Sequence, residues 1–249
     1  MTANYHTHSR WCHHGTGELE EYILRALEGG LQELAITEHV PLLGDPDPRR
    51  MQYDEFPAFN EELDRLVEQY RGKLRIIKGF ECEYYPEMLD SYHKFREEYG
   101  YRLLILGQHR SSDHIWDNFA LTQPGQLARY ADDVCAGLRT GMFDFLAHPD
   151  VFMAGYKVYD RYAKSAMAQI FALCQELDIP VELNANGQHY KRNYPCPPVW
   201  EDARAYRLRC LVNSDAHTVD DLLCPSVEEC AALADSLGLC RISTLAIRP

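Results

Sequence analysis

Arg75-Ile76-Ile77-Lys78-Gly79-Phe80-Glu81-Cys82-Glu83 is an apolar run that ends on carboxylates. Its length and β-branched content read as a buried strand over 75–81. A carboxylate at the end of such a strand leaves water and needs a charged partner. The same layout recurs along the chain. Apolar segments 3–6, 33–37, 103–107, 143–147 and 210–213 carry His6, His39, His109, His148 and Asp215 at or just beyond their C-terminal ends, and 180–184 ends in Glu182-Leu183-Asn184. Amphipathic segments at 19–28, 55–70, 86–99, 124–139, 159–177, 198–207 and 219–237 alternate with these strands. Gly29-Gly30, Gly72, Gly100, Gly141 and Gly238 mark several helix ends. Seven strand–helix units predict a parallel sheet with right-handed crossovers. In an open sheet only the strands beside the switch point bring their ends together. In a barrel all the C-terminal ends share one mouth. Polar residues at so many strand ends therefore predict a distorted (β/α)7 barrel, TIM-like, forming one domain over 1–249 with its site at the C-terminal mouth. A further short strand near 241–243 is compatible with the pattern.

The polar residues at that mouth are of the kinds that bind metal. His6-Thr7-His8 places two imidazoles two residues apart, on one side of an extended segment. Asp215-Ala216-His217 repeats the spacing, with a small residue between the donors. In Cys12-His13-His14-Gly15 the two histidines cannot both face the same way, and Cys12 is either a soft ligand or a small buried thiol. Glu81 can bridge two ions, which an imidazole cannot. Glu83 has the same facing and reads as a support for the site or as solvated. His93 lies among charged residues of a helix, and His114 and His189 lie in loops on the mouth side.

The 249 residues suffice for a substantial core. A formal net charge of -13 argues against nucleic acid as a partner. A small anion remains compatible, because a metal cluster reverses the local field. The 9 cysteines form no CxxC pair, and polar residues follow Met1 directly, so the reading is a cytoplasmic protein with reduced thiols. No apolar run approaches the roughly 20 residues of a membrane span. The stretches 41–57 and 186–198 read as long, functional loops. Oligomeric state is not legible.

The ordered set Tyr5-His6-Thr7-His8, Cys12-His13-His14-Gly15, Thr37-Glu38-His39, Gly79-Phe80-Glu81, His109, Ala147-His148-Pro149-Asp150 and Ser214-Asp215-Ala216-His217 resembles the PHP (polymerase and histidinol phosphatase) superfamily over nearly the whole chain. Within it, the Cys-x-His-Gly segment and Glu38-His39-Val40-Pro41 are most like stand-alone histidinol phosphatases. The resemblance implies a trinuclear centre of zinc, manganese or iron, and picks His14 over His13. It implies that His6, His8, Glu81 and Asp215 hold one ion, that Glu81 bridges to a second held by His109 and His148, and that His14, His39 and His217 hold the third. Glu81, Asp215 and His217 would also serve catalysis.

The implied reaction is hydrolysis of a small phosphate ester, L-histidinol phosphate foremost, by a metal-activated hydroxide. Arg161, Arg192 and Arg110, in that order, are the expected phosphate ligands, with His189 as a substrate contact or leaving-group acid. Glu83, Asp113 or Asp150 would receive the cationic end of such a substrate. The chain departs from the family after Glu182-Leu183-Asn184, where an arginine is expected soon but Arg192 is the first to follow, and again at Arg110-Ser111-Ser112-Asp113. Those departures leave open a nucleotide or phosphotyrosyl phosphatase, and a non-catalytic metal-binding module is the remaining alternative.

Overall fold

The structure, a computed structural model, describes residues 1–44 and 47–247. Asp45 and Pro46, within the expected 41–57 loop, lie outside the described residues. The strands are β1 (Ala3–Asn4), β2 (Glu33–Ile36), β3 (Arg75–Cys82), β4 (Leu103–Leu106), β5 (Phe145–Leu146), β6 (Val181–Asn184), β7 (Arg209–Asn213) and β8 (Cys240–Arg241). They are parallel and lie in sequence order across one sheet. The expected barrel architecture is therefore present, with the eighth short strand included. β8 pairs with the first residues of β7, Arg209 and Cys210. At the mouth, by contrast, the chain beyond β1 meets the chain beyond β7. Thr7 pairs with Ala216, and the His8 amide donates to the Ala216 carbonyl at 2.8 Å. Strand 8 thus lies at one end of the sheet while the first and seventh units touch at the other, which accounts for the distortion.

The helices are α1 (Leu19–Glu28), α2 (Phe56–Gln69), α3 (Leu89–Tyr99), α4 (Pro124–Arg139), α5 (Arg161–Leu177), α6 (Ala185–His189), α7 (Pro197–Ala203) and α8 (Pro225–Ser236). Local chemistry sets several ends. Asp160 caps α5 by accepting from the Tyr162 and Ala163 amides, and Pro124 occupies the first turn of α4, where no amide hydrogen is needed. Gly100 ends α3 at φ 71°, a conformation open to glycine at little cost. The segment expected as a loop from 186 contains α6, a helix too short to show periodicity.

Two apolar layers result. The larger lies between the helices and the outside of the sheet, where Phe80 stacks on Tyr101 with ring centroids 4.2 Å apart. Each fully buried large side chain there contributes roughly 1.5–3 kcal/mol. The smaller layer fills the barrel and includes Tyr5, Ala35, Ile77, Leu103, Ile105, Phe145, Ala147 and Leu211, joined by Leu245 from the C-terminal tail. Successive inward positions on β3 are Ile77, Gly79 and Glu81, two residues apart. The strand therefore runs from apolar floor to carboxylate mouth along its inner face.

Candidate metal centre

Nine expected donors come together at the mouth. His6 Nε2 lies 3.1 Å from His8 Nε2 and 3.4 Å from both Glu81 Oε2 and Asp215 Oδ1. His8 Nε2 lies 3.3 Å from Glu81 Oε2 and 3.4 Å from Asp215 Oδ1. The other oxygen of Glu81 faces His148 Nε2 at 2.8 Å and His109 Nε2 at 3.3 Å. His39 Nδ1 approaches Glu81 Oε2 at 3.1 Å, and its ring stacks 5.3 Å from that of His14. His14 Nε2 lies 3.0 Å from His217 Nε2. Glu81 thus presents one oxygen to each of two donor groups, and His14 with His217 forms a third group nearer solvent.

Backbone conformation helps to aim these side chains. His148 and Asp215 have φ of 26° and 49°, a region that non-glycine residues enter rarely and most often at functional sites. His13 has φ 61°, and this turn separates the two neighbouring histidines. His14 enters the cluster, whereas His13 reaches out to the Pro48 carbonyl at 3.0 Å and to Glu55 at 2.9 Å.

A ring of further groups orients the imidazoles. Glu182 accepts from His6 Nδ1 at 3.0 Å, from the His148 amide at 3.0 Å, and from the side chains of Asn184 and Asn213 at 2.9 Å. Glu83 Oε1 lies 3.4 Å from His109 Nδ1 and is held by Arg50 in a two-pronged pair at 2.7 and 2.9 Å. Glu38 is fully buried but takes no part in this: it accepts from the Ser9 amide at 2.8 Å, and its other oxygen lies 3.9 Å from His8 Nδ1, beyond hydrogen-bond reach. Carboxylates behind imidazoles in this way fix the tautomer that leaves the far nitrogen free for a metal.

The donor set fits metal ions. A tetrahedral site with bonds of about 2.0–2.1 Å has ligand–ligand edges of about 3.3 Å. The distances of His6 and His8 from each other and from Glu81 and Asp215 span 3.1–3.4 Å. The pair of outer histidines carries the stronger argument. His14 Nδ1 faces the Cys12 and Arg49 carbonyls, and His217 Nδ1 faces the Asp215 carbonyl. Carbonyls only accept, so each Nδ1 carries the hydrogen and each Nε2 in the neutral ring is a bare lone pair. Burial and the neighbouring His8 hold both rings below their usual basicity, His217 at about 3. Two bare lone pairs at 3.0 Å repel unless a cation joins them.

Burial opposes charge on His6, but Asp215, Glu182 and Glu81 outweigh it and raise its pKa well above the usual value. His8 is likewise desolvated, yet hydrogen bonds to Asp215 and Glu81 bring it to about 9. Glu81 and Asp215 are depressed despite burial, Glu81 chiefly by His109 and His6, Asp215 chiefly by His6 and His8.

Above the donors opens a cavity of about 580 Å³ lined by His14, His39, Glu81, His109, Asp215 and His217, together with Arg49, Arg50, Arg110, Arg192, Asp47, Asp117, Asn186, Tyr190 and Tyr194. Arg110 and Arg192, two of the three expected phosphate ligands, line it. Arg161 does not: it lies over the Tyr162 ring at 4.6 Å and bonds the Tyr162 hydroxyl at the start of α5. His189 lines a neighbouring surface pocket, 3.9 Å from Asp221. The three carboxylates expected to receive a cationic group are also elsewhere. Glu83 is bound by Arg50, Asp113 is tied to Ser111 and Arg129, and Asp150 is buried against the Cys196 amide and Trp200. Apart from the donors Glu81 and Asp215, the carboxylates that line the cavity are Asp47 and Asp117. Asp47 accepts two bonds from the Arg49 side chain, at 3.0 and 2.8 Å, one from the Arg49 amide at 3.0 Å, and one from Arg110 at 3.3 Å. Arg192 has no carboxylate partner among the described residues. It packs over Tyr190 at 5.2 Å and interacts with the Tyr194 hydroxyl. Arg49 and Arg50 gave no signal in the sequence, since they sit in an irregular loop beside Asp47 and Pro48.

With this fold and donor set in place, the comparisons define the class: the chain belongs to the PHP domain family, whose match spans residues 4–186. Its relatives are more particular. A probable histidinol-phosphatase of Deinococcus radiodurans is 24% identical over 229 residues, covering 85% of each chain. The histidinol-phosphatase of Bacillus subtilis is 33% identical over 102 residues, 38% of each chain. The crystal structure of histidinol phosphate phosphatase from Lactococcus lactis, complexed with zinc, L-histidinol and phosphate, shares the fold with a TM-score of 0.74 at 16% identity, covering 100% of this chain and 99% of that one.

Proposed function

We propose that this protein is a metal-dependent phosphomonoesterase acting on L-histidinol phosphate, with three divalent ions of zinc, manganese or iron. The observation that carries this reading is the gathering of nine donors under an arginine-lined cavity, with the two oxygens of Glu81 turned to different donors. His6, His8, Glu81 and Asp215 would hold one ion, Glu81, His109 and His148 a second, and His14, His39 and His217 the third. When bound, such ions supply Lewis acidity toward a phosphoryl group and make water nucleophilic at neutral pH. The names of the relatives and the ligands of the Lactococcus enzyme support the choice of substrate.

The protein's own groups divide the remaining work. Arg192 is the cavity arginine without a carboxylate partner among the described residues, so its guanidinium is the one free to take phosphate oxygens through paired hydrogen bonds. Tyr190 and Tyr194 hold it in place. Phe119, stacked 5.4 Å from His109, forms an apolar wall. Asp117 uses Oδ1 to cap the Phe119 amide at 2.9 Å, and its exposed carboxylate at the cavity rim suits the cationic end of the substrate. Glu182 and Glu83 keep His6 and His109 oriented.

The test is phosphate release by protein supplied with zinc or manganese, comparing kcat/KM for L-histidinol phosphate, a nucleoside monophosphate and p-nitrophenyl phosphate. A preference of about 100-fold for L-histidinol phosphate, roughly 2.7 kcal/mol of discrimination, is the expected result. Equal, low rates on all three would reject the substrate, and no hydrolysis of any would reject the enzyme.

A further inference from the structure

Asn186 is a polar residue of the cavity for which the reaction described above has no use. It lies in the first turn of α6 and is only 3% exposed. Its Nδ2 donates to the Asp215 backbone carbonyl at 3.0 Å. That bond fixes the amide, because a flipped side chain would set Oδ1 against another acceptor. Oδ1 is left with no partner among the described residues, in a side chain that lines the cavity. Buried acceptors are rarely left unpaired, so the reacting system itself should supply a donor.

A phosphate dianion offers only acceptors and cannot be that donor. The ammonium and imidazole of an amino-alcohol phosphate belong to its organic part, which on the reading above would lie toward the open rim, where Asp117 and Tyr190 are exposed. Asn186 lies deeper, one hydrogen bond from the residue whose carboxylate faces His6 and His8. We propose that Asn186 Oδ1 accepts a hydrogen bond from the attacking water and so points the water's lone pair at phosphorus. In that step the water oxygen forms the new bond to phosphorus, and the ester bond from phosphorus to oxygen breaks. Its electron pair leaves with the alcohol oxygen. The hydrogen bonded to Asn186 stays on the attacking oxygen as the hydroxyl of hydrogen phosphate. The other proton of the water is balanced by the proton gained by the leaving oxygen. The inference rests on the phosphomonoesterase reading but not on the identity of the ester.

The test uses the metal-loaded protein with Asn186→Ala and Asn186→Asp, assayed on both L-histidinol phosphate and p-nitrophenyl phosphate. Metal content and the dissociation constant of inorganic phosphate are measured alongside. The alanine variant should lose about 100-fold in kcat on both substrates. KM, bound metal and phosphate affinity should stay unchanged. The aspartate variant keeps an acceptor toward the water but sets its other oxygen against the Asp215 carbonyl, so its kcat should fall between those of the alanine variant and the wild type. Full kcat in the alanine variant would overturn the proposal. So would a rise in KM confined to L-histidinol phosphate, which would make Oδ1 a reader of the substrate's amine. Loss of metal in both variants would overturn it too, by making Asn186 a clamp on Asp215. A wild-type protein that hydrolyses p-nitrophenyl phosphate but not L-histidinol phosphate would remove the substrate reading and leave this test intact.

Discussion

Replacing Gly107 with alanine adds one methyl group at the most sensitive point of the donor cluster. A Cβ at 107 would lie 2.0 Å from Glu81 Oε1, 2.6 Å from its Cδ and 2.8 Å from its Cγ. Ordinary contact begins at 3.4 Å, so the carboxylate would have to retreat by about 1.4 Å. It has no room to do so and stay in place, because His6, His8, His39, His109 and His148 surround it within 3.4 Å. Metal–ligand bonds tolerate about 0.2 Å of error, so a shift of this size removes Glu81 from both groups that share it. Disturbing residues behind a ligand already weakens metal binding by about 10- to 100-fold, and displacing the ligand itself should exceed that range. We therefore expect Gly107→Ala to lose metal on dialysis and to lose at least about 1000-fold in kcat/KM, about 4 kcal/mol. The overpacking itself should cost only about 1–3 kcal/mol of stability, so the variant should still fold. Metal content by mass spectrometry, phosphate release, and thermal unfolding in chelator decide the matter. A folded variant with full metal and full activity would refute the role given to Glu81.

Three other outcomes follow from the same geometry. Arg192→Ala should raise KM by about 10- to 100-fold, as for loss of a charge-assisted hydrogen bond, with little change in bound metal. Arg161→Ala should leave steady-state kinetics unchanged, since Arg161 packs on Tyr162 away from the cavity. Zinc uptake at pH 7 should release protons. His8 has a pKa of about 9 in the metal-free protein and His6 is raised as well, so both are protonated below that range and must lose the proton to bind metal. Release should fall, and zinc affinity should rise, as pH climbs through about 9. Calorimetry in buffers of different ionisation enthalpy measures it, and a zero proton count at pH 7 would contradict the arrangement.

The donors at strand ends are legible in the sequence because strand period and chemistry agree, whereas His14 in place of His13 comes from the family resemblance alone. An apolar run that ends in Glu81, or in Ala147-His148, announces both a buried strand and a polar group at its mouth. The strand ends were read slightly long, as at 3–6 against Ala3–Asn4, because the chain continues extended into the mouth after the ladder stops. The substrate side was poorly legible. Arg161, the first-ranked arginine, stands in the capped first turn of α5 and lies beside Tyr162, exposed to solvent. Arg49 and Arg50 reach the cavity through a loop whose path depends on Asp47 and Glu83, contacts between residues far apart in sequence or without periodic signal. Asn186 sits on α6, whose single turn leaves no pattern to read. Metal ligands repeat a local grammar, whereas substrate contacts are set by where loops cross.

The trinuclear assignment is tested most directly by anomalous diffraction at the zinc edge from crystals of the zinc-loaded protein. The account predicts three peaks: one enclosed by His6, His8, Glu81 and Asp215, one between Glu81, His109 and His148, and one at His14, His39 and His217. A single peak, or peaks that leave Glu81 outside every coordination shell, would contradict it.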